Sequence, residues 1–423
     1  MSDARVEKAY ELAREAYAEK GVDAGAALDR LAGVSISLHC WQGDDVTGWE
    51  IHDEETSLGG TAPIGSYPGR ARTPGELRSD LAMALSCIPG RHRVNLQSHY
   101  YETDGRAIGR DQIEAKHYHG WRDWAKEMKL TGIDLAPAYY SHPMFRDGMS
   151  LAHPDKSVRD YWIEHGRRCR RAAAALAGEF GTPSLVNYWA PDGFKDMTID
   201  RYAPRARLAA ALDETMAEPI DADLVVDAVE SKLFGLGSES YVVGSHEFHM
   251  GYAMTRRKSI TIDTGHFHPT EMIADKISSV LLFSERLSFH VSRGVRWDSD
   301  HVVIMNDEAV SIAQELVRGD FLGRTHIGLD YFDASINRVA AWVIGMRSFQ
   351  KALLYAMLEP LGKWREDELS FDFTSRLARL EEAKSMPWQA VWDKFCLVHC
   401  SPLGESWLGR VKAYEKDVMS SRD

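Results

Sequence analysis

Residues 259–292, SITIDTGHFHPTEMIADKISSVLLFSERLSFHVS, contain the pattern of one strand, one helix and a second strand. The β-branched run 259–263 and the apolar run 287–292 have the length and composition of buried strands. Between them, Glu271–Leu287 carries apolar residues at three- and four-residue spacing, which is typical of an amphipathic helix. This order predicts two parallel, neighbouring strands that are joined by a crossover helix.

The same pattern recurs along the chain. Further strands are predicted at 34–39, 93–100, 132–139, 184–189, 224–231 and 325–330, which brings the number to eight. After an N-terminal helix, further helices are predicted at Arg78–Ile88, Asp111–Leu130, Val158–Phe180, Ala203–Ala217 and Asp307–Arg318. Eight strand-helix units in series predict an α/β protein with a (β/α)8 TIM barrel, and a doubly wound open sheet is the competing architecture.

The chain is longer than such a barrel requires. It has 423 residues, whereas a barrel of this kind typically needs about 250. Long loops at 41–77 and 189–202 take up part of the difference, and a helical tail follows them. We predict a catalytic barrel domain over 1–361, which includes the N-terminal helix, and a C-terminal helical extension over 362–423 at a subunit interface.

Composition limits the partners of the protein. The formal net charge is -13 and no run of Lys or Arg is present, so that a phosphate backbone would be repelled and nucleic acid is not expected. No stretch reaches the roughly 18 apolar residues that span a bilayer. The five cysteines lack a disulfide-framework spacing. We therefore expect a cytoplasmic protein without a membrane partner.

Acidic residues and histidines stand at the ends of the last four predicted strands. In a barrel, side chains at the carboxyl ends of the strands converge on one face. Any one of these residues alone would more often be a helix cap or a hydrogen-bonded core histidine, but their recurrence at consecutive strand ends favours a shared site. The residues are Glu230, Asp263, His266, His290, Asp298, Asp300 and Asp330, with Asp333 as an alternative to Asp330.

Carboxylates with imidazoles and without thiolates suit hard or borderline divalent ions. We expect two ions in each subunit, with Mn2+ as the first expectation and Co2+, Zn2+ or Mg2+ as alternatives. One ion is assigned to Glu230, Asp263, His290 and Asp330, and the other to His266, Asp298 and Asp300, with Asp263 bridging. Paired ions of this kind can hold both oxygens of a reacting group and acidify a bound water.

Several long segments resemble the L-rhamnose isomerase family, and the likeness covers nearly the whole chain. They are HCWQGDDVTGWE (39–50), YPGRARTPGELRSDL (67–81), DAVESKLFGLGSESYVVGS (227–245), DTGHFHPTEMIADKIS (263–278), RWDSDHVV (296–303) and HIGLDYFDASINRVAAWVIG (326–345). The resemblance implies a (β/α)8 barrel, a homotetramer, and the interconversion of L-rhamnose and L-rhamnulose. It places the catalytic metal ligands on His266, Asp298 and Asp300, and the structural metal ligands on Glu230, Asp263, His290 and Asp330.

Other residues are expected to contact the sugar or move its protons. Lys232 forms, with Glu230, the Glu-x-Lys pair of the wider aldose isomerase group, and is predicted to donate a hydrogen bond to the sugar O1. Trp189 matches a substrate-contacting tryptophan of the family. Trp41 and Tyr140 lie where an aromatic face reaches the pocket, although core packing is the alternative for each of the three aromatics.

One position departs from the family. Many members have a histidine on the second strand, a candidate for assisting ring opening, where this chain has Gln97. Glutamine cannot act as an acid or base near neutral pH. His99, two residues later and therefore expected on the same face of the strand, is predicted to take over, with water as the alternative. Asp298, Asp300 and Asp330 complete the predicted catalytic set.

Three other functions remain open from the sequence. A binding protein that has kept the barrel but lost activity would be expected to lack one or more ligands, whereas all seven are present. An isomerase of a different aldose would use the same site. A metal-dependent barrel hydrolase would use similar ligands to cleave a phosphodiester, but the acidic charge and the lack of a basic stripe disfavour it.

Overall fold

The computed structural model describes residues 2–50, 65–232, 240–295 and 300–422. Eight parallel strands close into a barrel in the order β1-β10-β9-β8-β6-β4-β3-β2. The strands are β1 (Ile36–His39), β2 (Arg93–Gln97), β3 (Gly132–Ala136), β4 (Ser184–Trp189), β6 (Val225–Glu230), β8 (Ser259–Asp263), β9 (Leu287–Val291) and β10 (Thr325–Leu329). This confirms the predicted barrel and each of its eight strands, and it excludes the open doubly wound sheet.

A small second sheet lies outside the barrel. It pairs β5 (Gly193–Phe194) with β7 (Tyr241–Val242) in antiparallel register. The two strands lie in the connections that follow β4 and β6. The pairing therefore ties together two loops at the carboxyl end of the barrel, where we expect the functional site.

Helices surround the barrel. Those of the N-terminal part and the barrel are α1 (Asp3–Ala18), α2 (Ala24–Ala32), α3 (Pro74–Leu85), α4 (His119–Glu127), α5 (Lys156–Phe180), α6 (Tyr202–Thr215), α7 (His246–Arg256), α8 (Ala274–Leu281), α9 (Asp307–Arg318) and α10 (Arg338–Met357). Capping residues define both ends of α5. Asp155 accepts a hydrogen bond from the Ser157 N–H at the start, and Gly181 adopts a φ of 67° just after the end.

Two predicted helices are shorter in the structure. The segment Asp111–Leu130 forms two 3-10 turns, Arg110–Gln112 and Ala115–Tyr118, before α4 begins at His119. The segment Glu271–Leu287 is helical only over α8. Apolar spacing alone does not distinguish a 3-10 turn from an α-helical turn, so the boundaries were set too wide.

Helix α10 was not among the predicted helices, and its sequence explains why. Most of its residues are buried, including Trp342, Phe349 and Leu353. A helix that is apolar on nearly all sides lacks the one-sided periodicity by which surface helices are recognised. It packs beside the barrel helices α3 and α9 and is also covered by α2, which accounts for its burial on nearly all sides.

The tail forms four helices, α11 (Leu361–Leu369), α12 (Phe373–Ala383), α13 (Trp388–Val398) and α14 (Ser406–Asp417). Helix α13 packs along α1, where Lys394 forms an ion pair with Glu7 at 2.6 Å. At the end of the chain, Arg422 contacts the buried Asp80 of α3 at 2.7 Å. The tail is thus helical as expected, and it contacts the N-terminal helix and the barrel helices of its own chain.

Among the described residues, no helix combines the length and apolar character needed to cross a membrane. All five cysteines are free thiols.

Candidate metal centre

Four adjacent strands bring the predicted ligands together at the carboxyl end of the barrel. Glu230 ends β6, Asp263 ends β8, His290 lies in β9, and Asp330 directly follows β10. Each offers one ligand atom, and these atoms all lie within 4.8 Å of one another. From His290 Nδ1 the distances are 3.1 Å to Glu230 Oε2 and 3.2 Å to Asp330 Oδ2.

A second group overlaps with the first. Asp263, His266 and Asp300 also offer ligand atoms within 4.8 Å of one another, so Asp263 belongs to both groups. Gly265 makes this approach possible, because a Cβ at its position would lie 3.2 Å from Asp300 Oδ1 and 3.3 Å from Asp263 Oδ1. Asp298, predicted for this group, lies outside the described residues. We call the six described members of the two groups, Glu230, Asp263, His266, His290, Asp300 and Asp330, the carboxylate cluster.

The electrostatics of the carboxylate cluster favour a cation. Burial and the charges of Asp300, Glu230 and Asp330 hold the pKa of Asp263 well above its ordinary value. Burial opposes the charged form of His290, but the neighbouring Glu230 and Asp330 carboxylates raise its pKa well above the ordinary value. The carboxylate cluster contains four carboxylates and only two imidazoles, so negative charge is in excess, and most of its side chains are buried. The donor set therefore fits divalent cations, which supply the missing positive charge.

Neighbouring side chains hold the carboxylate cluster in place. The Asn187 amide on β4 donates a hydrogen bond to Glu230 Oε2, and Thr261 Oγ1 donates to Asn187 Oδ1 at 2.7 Å. The Gly265 N–H donates to Asp263 Oδ1 at 2.7 Å. Outer groups of this kind orient the ligands of metal sites. Sequence reasoning missed Asn187, because a buried asparagine within a strand gives no signal of its partner.

Asp330, rather than Asp333, belongs to the carboxylate cluster. Asp333 accepts hydrogen bonds from Ser335 N and Oγ, so its carboxylate serves the turn before α10. Asp330 Oδ1 instead faces two buried side chains of the first strand end, the imidazole of His39 and the indole of Trp41. His39 was not predicted. It is the last residue of β1, much as His290 lies near the end of β9, and the search for histidines at strand ends would have found it if it had included β1.

The aromatic and basic groups predicted for the sugar lie next to one another. Lys232 Nζ lies 5.4 Å from the centroid of the Trp189 ring, and Tyr140 packs edge-on against the same ring with centroids 5.3 Å apart. The Tyr140 hydroxyl donates a hydrogen bond to Gln97 Oε1. Lys232 and His266 both line a cleft of about 460 Å3.

The premise that placed His99 on the face of Gln97, a strand that continues to residue 99, does not hold. Strand β2 ends at Gln97, and Ser98–Tyr100 form a 3-10 turn. Strand alternation does not continue through such a turn. The His99 ring is buried, packs against Tyr100 and lies close to Gly48. A role of His99 in ring opening stays a prediction.

Comparisons with known proteins agree with the sequence resemblance. The chain is 56% identical over 418 residues to an L-rhamnose isomerase of Rhodopirellula baltica, with 99% of this chain and 97% of the relative covered. It is 53% identical to an L-rhamnose isomerase of Shigella sonnei, with 99% of each covered. Among solved structures, an L-ribulose 3-epimerase matches with a TM-score of 0.49 at 13% identity, over 80% of this chain and 98% of that one. The family model for L-rhamnose isomerase (RhaA) matches residues 4–422. The chain belongs to the L-rhamnose isomerase family.

Proposed function

We propose that this protein interconverts L-rhamnose and L-rhamnulose as a metal-dependent aldose-ketose isomerase. The proposal combines family membership with one observation, the two overlapping ligand groups that share Asp263. A site with two cations is suited to a substrate that presents several oxygens, because the oxygens of neighbouring carbons can be held at the same time.

The carboxylate cluster would hold the two cations. Glu230, Asp263, His290 and Asp330 would bind one, and His266, Asp300 and Asp298 would bind the other, with Asp263 shared. When bound, the cations would supply Lewis acidity at the C1 and C2 oxygens and stabilise negative charge during the shift of hydrogen between these carbons. We expect Mn2+, with Co2+, Zn2+ and Mg2+ as alternatives.

The chain's own groups would orient the sugar and move protons. Lys232 would donate a hydrogen bond to O1, where its charge stabilises developing negative charge. The Trp189 face beside it offers a flat apolar surface for the sugar, including its 6-methyl group. Asp300 and Asp298 would orient the water that carries a proton between O1 and O2, while Asp330 would act as a ligand and catalytic carboxylate.

Ring opening requires a proton donor or acceptor near the anomeric oxygen. The family histidine of the second strand is Gln97 here, and its carbonyl oxygen is already bonded by Tyr140. We keep His99 as the predicted group, with water as the alternative, and Gln97 and Tyr140 as parts of the pocket wall. A changed pocket wall at this point is also the reason to consider a different preferred aldose.

Assembly and location complete the proposal. We infer a cytoplasmic homotetramer, with residues 1–361 as the catalytic domain and 362–423 as an extension at the subunit interface. Exposed apolar side chains of α11, α12 and the turn between them, among them Leu369 at 82% and Phe371 at 78% exposure, support a contact surface in that extension. Size-exclusion chromatography with light scattering tests the tetramer directly.

The experiment that tests the function measures ketose formation from L-rhamnose by chelator-stripped protein, with and without added Mn2+. We expect conversion only with the cation. A panel of other aldoses, measured in parallel, separates an isomerase of another sugar from the proposed one. If folded, cation-loaded protein converts none of the aldoses, the isomerase proposal is overturned, and a phosphodiester substrate then tests the hydrolase alternative.

A further inference from the structure

Two buried side chains converge on one oxygen of Asp330. Trp41 Nε1 donates a hydrogen bond to Asp330 Oδ1 at 3.0 Å, and His39 Nδ1 lies 3.1 Å from the same oxygen. His39 is 1% exposed and Trp41 is 2% exposed, and their rings lie against each other with centroids 4.1 Å apart. Neither group is therefore available to open solvent.

Asn95 on β2 determines which nitrogen of His39 carries the proton. The Asn95 Nδ2 group lies 3.0 Å from His39 Nε2. Because an amide NH2 only donates, His39 Nε2 accepts, and in the neutral ring the proton resides on Nδ1. That proton faces Asp330. Asn95, His39 and Asp330 thus form a chain of contacts in which each group orients the next.

Gly328 provides the space for the His39 ring. A Cβ at this position would lie 2.9 Å from His39 Nε2 and 3.4 Å from His290 Cδ2. Gly328 lies in β10 two residues before Asp330 and is paired with His290 of β9. A side chain there would push the His39 ring from its position, whereas His290 would stay in ordinary van der Waals contact.

The second oxygen of Asp330 has different surroundings. Asp330 Oδ2 lies 3.2 Å from His290 Nδ1, and it faces the part of the carboxylate cluster that contains Glu230 and Asp263. One oxygen of the carboxylate is therefore directed to buried donors of the protein, and the other to the place of the first cation. A carboxylate with one oxygen fixed in this way presents the other in a single direction.

We propose that Asn95, His39 and Trp41 form a positioning device for Asp330 that sets the affinity of the first cation site. The inference rests on the proposed function only in requiring that a cation binds there. It assigns Trp41 to the cation through Asp330, whereas the sequence predicted a sugar contact. The three residues are positioning residues. His39 also groups with His290 and Asp330 as a possible ligand, but its Nε2 lone pair faces the Asn95 amide and its Nδ1 carries the proton, so neither nitrogen has a lone pair left for a cation.

The test is a calorimetric titration of chelator-stripped protein with Mn2+, which needs no sugar. Trp41→Phe keeps an aromatic ring but removes the N–H that faces Asp330. We expect its first-site affinity for Mn2+ to fall by about 10–100-fold, the usual effect of losing an outer partner of a ligand. Trp162→Phe is the matched control, because Trp162 is also buried and donates its indole N–H to a backbone carbonyl, Met144 O, at 3.0 Å. Its Mn2+ affinity should equal that of the wild type.

A second variant reaches Asp330 through His39 instead of Trp41. Gly328→Ala leaves every donor in place but crowds His39, and it should also weaken the first site while the second site is retained. Wild-type Mn2+ affinity in Trp41→Phe, with a raised KM for L-rhamnose, would overturn the inference and restore the sugar contact. Wild-type protein that binds Mn2+ without isomerising any aldose would overturn the proposed function alone, and wild-type protein that binds no divalent cation would overturn both.

Discussion

The two ends of the barrel bury carboxylates in opposite ways. Near the amino ends of the strands, Asp134 accepts hydrogen bonds from Arg93, Ser37 and the Leu185 N–H, and lies 2.9 Å from His326 Nε2. We call Ser37, Arg93, Asp134 and His326 the base cluster. Although burial opposes its charge, Arg93 and His326 hold the pKa of Asp134 well below its ordinary value. At the carboxyl ends, the carboxylate cluster instead places Asp263 near three other carboxylates, which raise its pKa.

This difference separates structural polar groups from functional ones. The base cluster supplies its own cations and donors, so it is complete without a ligand and fixes β1, β2, β3 and β10 relative to one another. In the carboxylate cluster, neighbouring imidazoles lower the pKa of Glu230 and Asp330, but Asp263 stays crowded by other carboxylates. This incomplete compensation costs stability unless a cation enters. A buried charge alone therefore does not indicate function, whereas an incompletely compensated group of charges does.

The largest expected effect is on catalysis at the carboxylate cluster. His266→Ala removes one of the proposed ligands and should lower the rate of L-rhamnose isomerisation by roughly 10³-fold or more, because the proposed second cation would supply several kcal/mol of charge stabilisation. Steady-state rates with excess Mn2+ give the measurement, and denaturant unfolding should show a largely intact fold. His119→Ala, at an exposed histidine of α4, is the control. A cation-loaded His266→Ala enzyme with normal activity would contradict the assignment.

The same comparison predicts a stability effect at the base cluster. Asp134→Asn removes the charge that pairs with the buried Arg93, and we expect the free energy of unfolding to fall by about 3–5 kcal/mol with or without Mn2+. Asp160→Asn, which breaks the exposed pair with Lys156, should cost less than about 1 kcal/mol. Equal losses in the two variants would show that the base cluster is not structural.

Low pH should destabilise the fold through His92, which lies directly before β2 at the amino end of the barrel. Burial lowers the pKa of His92 to about 4, below the ordinary value near 6.5. Between these pH values the unfolded chain binds a proton that the folded chain does not, so stability falls as the pH falls, by at most about 3 kcal/mol. His92→Gln should show a shallower decrease in unfolding free energy between pH 7 and pH 4. An unchanged slope would mean that His92 does not contribute.

The smallest effect has the opposite sign. In chelator-stripped protein, Asp263→Asn removes one of several crowded carboxylates and should raise the free energy of unfolding modestly, because burial and the neighbouring carboxylates hold the pKa of Asp263 well above its ordinary value. The stabilisation gained on adding Mn2+ should shrink, because it depends on cation affinity. Thermal unfolding with and without Mn2+ measures both quantities. If Asp263→Asn destabilised the stripped protein as Asp134→Asn is expected to do, the contrast between the ends would not hold.

The sequence predicted the strands better than the helices. The strands at 184–189 and 259–263 have the predicted bounds, because short β-branched runs are limited by clear breaks. Helix α10 was not among the predicted helices because it is buried on nearly all sides. The search for acidic residues and histidines at strand ends identified Glu230, Asp263, His290 and Asp330, which the fold brings together. The alternation argument for His99 lost its basis because a 3-10 turn replaces the strand there.

By itself, the sequence determined the barrel, the family and the strand ends that carry the ligands, since these follow from residue order and local periodicity. Only the tertiary structure decided which atoms face one another. Barrel closure pairs β1 with β10, and so brings Trp41 to Asp330 across 289 positions of sequence. It likewise placed Asp263 in both ligand groups and kept Asp333 in a turn. Contacts between strands so distant in sequence depend on register and closure, which no local pattern contains.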